Sequence, residues 1–218
     1  DKDFRSIDPS QARVLLIEAG SRILGTFSAP LAQKAARSLE ALGVQIWTAS
    51  RVTEITAQGA RLGEEFVRAK TVIWAAGVHP SSLSRTLNTP LDKQGRVVVR
   101  SDLSLKEAPE IYVIGDQAAV QCEGTGKTLP GLAPVAMQEG VHVAKNILRV
   151  IGGLPALPFH YRDKGAMATI GRKKAIVQTT KLQFDGFIAW LAWLFIHIFY
   201  LIGFKNRFFV FIQWAWSY

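Results

Sequence analysis

Several short stretches of this sequence carry groups suited to holding a nucleotide or stabilising charge. Glu18 closes the apolar run Val14 to Ile17. A carboxylate at the end of such a strand, in a dinucleotide-binding unit, accepts hydrogen bonds from adenosine ribose hydroxyls. It also repels a 2′-phosphate, which favours NAD over NADP. Ala76 and Gly77 follow a second apolar run, Thr71 to Ala75, and residues this small let the backbone approach a ligand closely. Gly115 and Asp116 end a third run, Ile111 to Ile114. They place a carboxylate at the carboxyl end of a sheet, where open α/β folds bind ligands, and Asp116 suits a ribityl hydroxyl of a flavin nucleotide. A helix beginning within Pro134 to Gln138, with Val135 and Ala136 in its first turn, turns its amino end toward a flavin ring and favours negative charge there. Lys164 offers a cation to the same reduced, anionic ring. Each stretch also has a plainer reading: a solvated Glu18, a tight turn at Ala76-Gly77, an N-cap at Asp116 and a solvated Lys164.

The elements that must position these groups follow from periodicity. Val14 to Ile17 reads as a buried strand. Pro30 to Leu42 is amphipathic at helical spacing, with Leu31, Ala35, Leu39 and Leu42 on one side and Gly43 closing it. Val44 to Trp47 is the next strand. Short antiparallel strands are expected at Arg51–Thr56, Gly59–Leu62 and Glu65–Arg68, then a buried strand at Thr71–Ala75. Strand, helix and strand in this order argue a doubly wound α/β unit. From about Ser84 to Lys106 the chain crosses between lobes, with a turn at Asp92–Gly95 and a strand at Arg96–Arg100. A strand at Ile111–Ile114 follows, then a glycine-rich loop through Gly124, Gly126 and Gly131, a helix at Pro134–Val150 and a linker at Gly152–Pro158. Two further strands, Ala166–Ile170 and Ala175–Thr179, flank the basic turn Gly171–Lys174. The expected divisions are 1–84; 85–152; 153–183, a β-rich connection; and 184–218, the apolar tail.

The tail sets the broad class. From Gly186 to Phe204 there is no Asp, Glu, Lys or Arg. That run is long enough to span a membrane as a helix; two apolar helices lying in the interface are the competing picture, and composition does not choose between them. Trp190, Trp193, Trp214 and Trp216, with Tyr200 and Tyr218, form the aromatic belt expected at headgroup level. The 218 residues hold 26 Lys and Arg against 17 Asp and Glu, a net charge of +9, which favours an anionic partner. The cations gather between Arg162 and Lys181 and return at Lys205 and Arg207, beside apolar sequence. That pattern favours the cytoplasmic face of a membrane over nucleic acid. Cys122 is the only cysteine, which excludes a disulfide framework, a CxxC pair and a cysteine zinc site, and suits a reducing compartment. His79, His142, His160 and His197 have no metal-ligand spacing, so no metal site is expected. The chain opens Asp1-Lys2-Asp3-Phe4-Arg5, with no initiator Met and no signal-peptide core. No GxGxxG occurs, Gly124-Thr-Gly126 being the nearest string. The expectation is a piece of a longer protein whose glycine fingerprints lie upstream.

Taken together, the segments Arg13 to Gly20, Val72 to Val78, Val113 to Ala118, Leu129 to Gly140, Tyr161 to Arg172 and Gly203 to Trp216 resemble the type II NADH:quinone oxidoreductases. These are single-subunit flavoproteins with two dinucleotide-binding domains. The tail, GFKNR through QWAWSY, is the most specific part. Where many members have Ala-Gln before the helix near the quinone site, this chain has Ala133-Pro134 and keeps Gln138. The resemblance implies Rossmann-like α/β lobes, with the N-terminal FAD part missing, and a C-terminal apolar anchoring segment. On this basis 1–84 are the remainder of an NADH-binding domain, 85–152 the C-terminal part of an FAD-binding domain, 153–183 the connection and 184–218 a membrane-anchoring segment. It implies FAD and NAD as cofactors, with electrons passing from NADH through FAD to a membrane quinone without proton pumping. The tail holds no acidic residue to relay a proton. Gln138 and Lys164 are the implied catalytic residues; Glu18, Ala76, Gly77, Gly115, Asp116, Pro134, Val135 and Ala136 are the implied cofactor contacts. The implied partners are NADH, quinone, the membrane lipid surface and a second copy of the chain, with no nucleic acid. By itself the chain is expected to bind FAD poorly and NADH weakly. Two other readings stay open: a reductase of another acceptor carrying an added anchor, and a membrane-tethered, non-catalytic nucleotide-fold module.

Overall fold

The computed structural model describes residues 8, 11–122, 126–201 and 203–217. The opening Asp1 to Arg5, Gly124 of the glycine-rich loop and Tyr218 of the aromatic belt lie outside the described residues. Two units form, Asp1–Ile73 with Lys164–Tyr218 and Trp74–Asp163.

In the first unit, β1 (Val14–Ile17) and β2 (Val44–Trp47) pair in parallel, Val14 opposite Val44 and Ile17 opposite Trp47, with α1 (Ala29–Glu40) between them in sequence. Pro30 sits in the first turn of α1, where its missing N–H costs no helical hydrogen bond. Of the expected apolar positions Leu31 and Ala35 are buried, with Ala32 beside them, and Leu39 packs against the same core, while Leu42, beyond the helix end, is exposed. β3 (Glu54–Thr56), β4 (Gly59–Leu62) and β5 (Glu65–Arg68) form the expected antiparallel meander.

The expected strand Thr71–Ala75 is absent. Residues 71–75 pair with no described strand, and Ile73 and Trp74 are 84% and 61% exposed. An apolar run becomes a strand only when neighbouring strands take up its amides and carbonyls.

After the second unit the chain forms β8 (Ala166–Thr169), β9 (Ala175–Gln178) and β10 (Gln183–Gly186), antiparallel in the order β10-β9-β8. The third strand was not expected from the sequence, because Gln-Phe-Asp-Gly carries little apolar signal. β9 is buried on both faces, alternating as a strand must. Ile176 joins Ile23, Phe27, Leu31, Ala35 and Ile170 in one core, while Ala175 and Val177 join Ala189 and Trp190 in another. Thus α1 packs directly on the C-terminal sheet. At the edge, the Ser28 N–H donates to Gln178 Oε1 at 2.7 Å, Ser28 Oγ lies 2.9 Å from Gln183 Oε1, and Lys34 pairs with Asp185.

The tail is two helices, α4 (Phe187–Tyr200) and α5 (Phe204–Ser217), each of 14 residues. Leu201 takes an extended backbone and stops the first; Arg207 Nε donates to the Leu201 carbonyl at 2.7 Å and its guanidinium lies 5.3 Å from the Phe199 ring. Trp193 stacks on Trp214 with centroids 5.7 Å apart, closing the hairpin. Fourteen residues rise about 21 Å, short of the roughly 30 Å hydrocarbon core. Among the described residues no helix is long and apolar enough to cross a membrane; of the two pictures left open for the tail, two short apolar helices are the one these elements match.

In the second unit, α2 (Leu83–Thr86) precedes a small parallel pair, β6 (Val97–Val98) with β7 (Ala118–Ala119). The expected turn is there: Asp92 Oδ1 accepts the N–H groups of Gln94 and Arg96, both at 2.9 Å, and Arg96 Nε donates to Asp92 Oδ2 at 2.8 Å. The expected strand Ile111–Ile114 is reduced to one bridge, Tyr112 to Ser104, and the run continues into a 3₁₀ turn, Gly115–Gln117. Leu103, Ala118, Val120 and Val143 form the core. The long helix α3 (Ala133–Ile151) supplies Val143 and buries Val135, Glu139 and Asn146 on the same face.

Candidate functional site

The second unit gathers most of the expected contacts. Gly115, at φ +67°, sits where a regular strand would end. Its N–H donates to Glu139 Oε2 at 2.6 Å, so the 3₁₀ turn is bolted to α3. Asp116 follows, exposed, beside Gly131; a Cβ on Gly131 would lie 2.8 Å from Asp116 Oδ1. A side chain at 131 would push the Asp116 carboxylate aside. A shallow recess results, lined by Arg96, Gly115, Asp116, Gly131, Leu132 and Glu139 among others.

The first turn of α3 borders the same recess through Val135 and Ala136. Pro134 has no N–H, and the amides of Val135 and Ala136 donate to the Leu132 carbonyl at 2.9 and 3.1 Å. The turn therefore offers the positive end of a helix dipole rather than free amide donors. One turn on, Gln138 is engaged elsewhere: its Nε2 donates to the Arg162 carbonyl and its Oε1 accepts the Arg162 N–H.

Glu139 was not singled out by sequence reasoning, nor was Arg96. Glu139 is 1% exposed. Burial raises its carboxyl above the usual range; the Gly115 N–H opposes this, and the negative charge of Asp116 adds to it. A signal was available: Glu139 falls four residues after Val135 and four before Val143, on the buried stripe of α3. A carboxylate at a core position needs a partner. Arg96 owes its place to the Asp92 turn and reaches the Leu129 carbonyl at 3.4 Å. Ala76 and Gly77 lie in an exposed loop of this unit, Gly77 at φ +94°.

The first unit holds the other two expected residues. Glu18 stands just beyond β1, its N–H donating to the Trp47 carbonyl at 2.8 Å. Its own Oε1 accepts the Gly20 N–H at 2.6 Å, which sets the carboxylate's direction while leaving Oε2 open. Lys164 Nζ donates to Tyr200 Oη at 3.1 Å and lies 5.7 Å from that ring's centroid. The structure thus ties Lys164 to α4. Among the described residues no group of His, Cys, Asp and Glu is arranged to hold a metal ion.

Residues 6–140 match the family described as pyridine nucleotide-disulphide oxidoreductase, and residues 164–218 match the NDH2 C-terminal domain. The chain is 39% identical to the type II NADH:quinone oxidoreductase Ndh of Mycobacterium tuberculosis, over 97% of this chain and 47% of that protein. It is 35% identical to the mitochondrial internal alternative NAD(P)H-ubiquinone oxidoreductase A1 of Arabidopsis thaliana, over 93% of this chain and 43% of that one. It thus spans about half the length of the curated relatives it matches. In fold it is similar to NDH2 from Plasmodium falciparum, solved in complex with NADH, with a TM-score of 0.83 at 16% identity, covering 93% of this chain and 57% of that one. A Rossmann-type α/β body continuous with an NDH2 C-terminal segment places the chain in its family: it belongs to the pyridine nucleotide-disulphide oxidoreductases and, among them, to the type II NADH:quinone oxidoreductases.

Proposed function

We propose that the whole protein oxidises NADH and passes the electrons through FAD to a membrane quinone, without pumping protons. One observation carries this reading: matches to the nucleotide-binding family and to the NDH2 C-terminal domain run consecutively along one chain, residues 6–140 and 164–218.

The residues present fit a flavin. The recess at Asp116 is kept open by a glycine whose Cβ would crowd the carboxylate, and α3 directs its amino end at the same place. Asp116 holds a ribityl hydroxyl there, with Gly115, Pro134, Val135 and Ala136 shaping the wall. When bound, FAD supplies the redox chemistry that side chains lack, and the protein contributes binding, orientation and field. Glu18, aimed by the Gly20 amide, accepts the ribose hydroxyls of NADH and disfavours a 2′-phosphate. Ala76 and Gly77 let the backbone lie close to the nucleotide. Gln138 keeps its proposed role near the quinone site and Lys164 its proposed role as a cation beside the reduced flavin; here Gln138 is held by Arg162 and Lys164 by Tyr200. The resemblance further supports a homodimer.

The tail supports attachment in the plane of the interface. Phe195, Phe199, Phe204, Phe208, Phe209 and Trp216 are all more than half exposed, and Lys181, Lys205 and Arg207 flank them. An apolar hairpin with a cationic border suits an anionic lipid surface on the cytoplasmic face of the cell membrane.

The test is anaerobic. The full-length protein is purified in detergent, NADH is added while the flavin absorbance is followed, and quinone is added next. Bleaching by NADH and recovery on quinone are expected. Flavin that stays oxidised, or a full-length protein that binds none, overturns the reading and leaves the tethered, non-catalytic module.

A further inference from the structure

We infer that Glu139 is a positioning residue: its buried side chain anchors the Gly115 amide and so sets the direction in which Asp116 is presented to the flavin. The inference rests on the reading of Asp116 as the ribityl contact.

The geometry begins with a missing ladder. The run before Gly115 makes only the bridge at Tyr112, so no strand takes up the Gly115 N–H. Gly115 is also at φ +67°, in a region where glycine has wide freedom and its peptide planes are weakly held. A half-buried N–H in that setting calls for an acceptor, and Glu139 Oε2 supplies it at 2.6 Å. The carboxylate is itself immobilised, being 1% exposed on the face of α3 that also buries Val135 and Val143. The Gly115 N–H belongs to the Ile114–Gly115 peptide, so this anchor fixes the entry to the turn, while the Ala118 N–H, donating to the Gly115 carbonyl, holds the Gly115–Asp116 peptide. Clamped between the two, Gly115 carries Asp116 in one direction.

An apolar side chain at 139 would fill the same space without the cost of burying a carboxylate beside Asp116, and charge burial is tolerated only with compensation. The charged groups that share the recess are Asp116, which repels the Glu139 carboxylate, and Arg96, whose guanidinium is already committed to Asp92. Packing therefore does not explain a carboxylate here, whereas holding a backbone N–H does. A side chain acting in this way never touches the flavin; it acts through Asp116.

The experiment is a double-mutant cycle in the full-length flavoprotein, stripped of flavin and titrated with FAD. Glu139→Gln keeps an oxygen acceptor for the Gly115 N–H; Glu139→Met keeps volume and adaptable packing but no strong acceptor. Expected results are an FAD dissociation constant within about threefold of the parent for Glu139→Gln and raised about 10- to 100-fold for Glu139→Met. On an Asp116→Ala background, Glu139→Met should cost less than about threefold more, since both changes remove one interaction. Melting without FAD checks that each variant is folded, and the FAD-induced rise in melting temperature reads binding separately. Equal losses in the Gln and Met variants, or losses that multiply on the Asp116→Ala background, overturn the positioning role. So does a Gln variant that fails to bind FAD, even if the Met variant does not fold. A parent protein that binds no FAD instead overturns the flavin reading beneath it.

Discussion

Gln138 holds Arg162 by both backbone atoms, donating to its carbonyl at 3.1 Å and accepting from its N–H at 3.0 Å. The same device recurs along α3. Asn146 donates to the Leu157 carbonyl and accepts the Leu157 N–H, both at 2.9 Å, and Arg149 Nε donates to the Pro155 carbonyl at 3.0 Å. Side chains at 138, 146 and 149 thus act as a substitute strand edge, strapping residues 155–162 along the helix. A linker without secondary structure of its own is held in place by this means.

Replacing Gln138 with Ala is expected to destabilise the protein by about 1–2 kcal/mol, two modest hydrogen bonds' worth, and to speed amide exchange at Arg162 roughly tenfold. Gln138→Glu, which keeps the acceptor but not the donor, should produce an intermediate exchange rate. Unchanged exchange at Arg162 in Gln138→Ala would contradict the strap. Hydrogen–deuterium exchange read by mass spectrometry is sufficient.

Cofactor choice is expected to turn on Glu18. In the full-length enzyme, Glu18→Ser should lower the ratio of kcat/KM for NADH to that for NADPH by about tenfold or more, because the group that repels a 2′-phosphate is gone. Steady-state rates with both nucleotides measure it. A ratio that does not move removes Glu18 from nucleotide selection.

Acid stability of the second unit is expected to depend on Asp92 and Asp102. Burial raises both carboxyls, but hydrogen bonds outweigh it: the Arg96 and Gln94 amides and the Arg96 guanidinium at Asp92, and Ser104 at Asp102, assisted by Arg100. Both pKa values end below the ordinary 3.8. The folded state then binds fewer protons than the unfolded one, so the contribution is complete above about pH 4 and is lost as pH falls through the depressed native values. Asp92→Asn should lower the melting temperature at pH 6 and show a smaller further fall between pH 4 and pH 2 than the parent. Equal acid slopes would exclude Asp92 as a source of that dependence.

Docking of α1 on the C-terminal sheet is expected to come from apolar burial rather than from its ion pair. Leu31→Ala should cost about 2–5 kcal/mol, because Leu31 is buried in the core that holds Ile170 and Ile176. Lys34→Ala should cost no more than about 1 kcal/mol, the side chains of Lys34 and Asp185 being 55% and 36% exposed. Chemical denaturation of both variants decides it. A larger loss from Lys34→Ala would reverse the assignment.

Attachment to lipid is expected to be electrostatic in part. Lys181→Gln with Lys205→Gln should weaken binding to phosphatidylcholine vesicles containing phosphatidylglycerol by roughly tenfold or more, at about 1 kcal/mol per cation. Binding to vesicles of phosphatidylcholine alone should change little. Co-sedimentation at low and moderate salt separates the two, and equal losses on both vesicle types would point to a damaged hairpin.

Local patterns were legible wherever they sufficed to make an element. The helical spacing of Leu31 and Ala35, the strands at Val14 and Val44, the Asp92 turn and the α3 helix all follow from periodicity and turn chemistry, and the segments at Gly115-Asp116 and in the tail were enough to place the family. What failed was whatever required a neighbour. Thr71–Ala75 and Ile111–Ile114 have the composition of strands, yet a strand exists only through its ladder, and the described residues offer the first run none and the second only the bridge from Tyr112 to Ser104. Gln183–Gly186 lacks that composition and is a strand because β9 pairs with it. The tail's composition left one spanning helix and two interfacial helices open, and its division at Leu201 goes with Arg207 and the Trp193–Trp214 stack. In the site, the residue types at Glu18 and Asp116 stood in the sequence, whereas the grip of Glu139 on Gly115 and of Gln138 on Arg162 joins positions 24 residues apart. Sequence determines which side chains and which local backbone preferences are available; only the tertiary structure decides which donors meet which acceptors, because that depends on distances that no local pattern encodes.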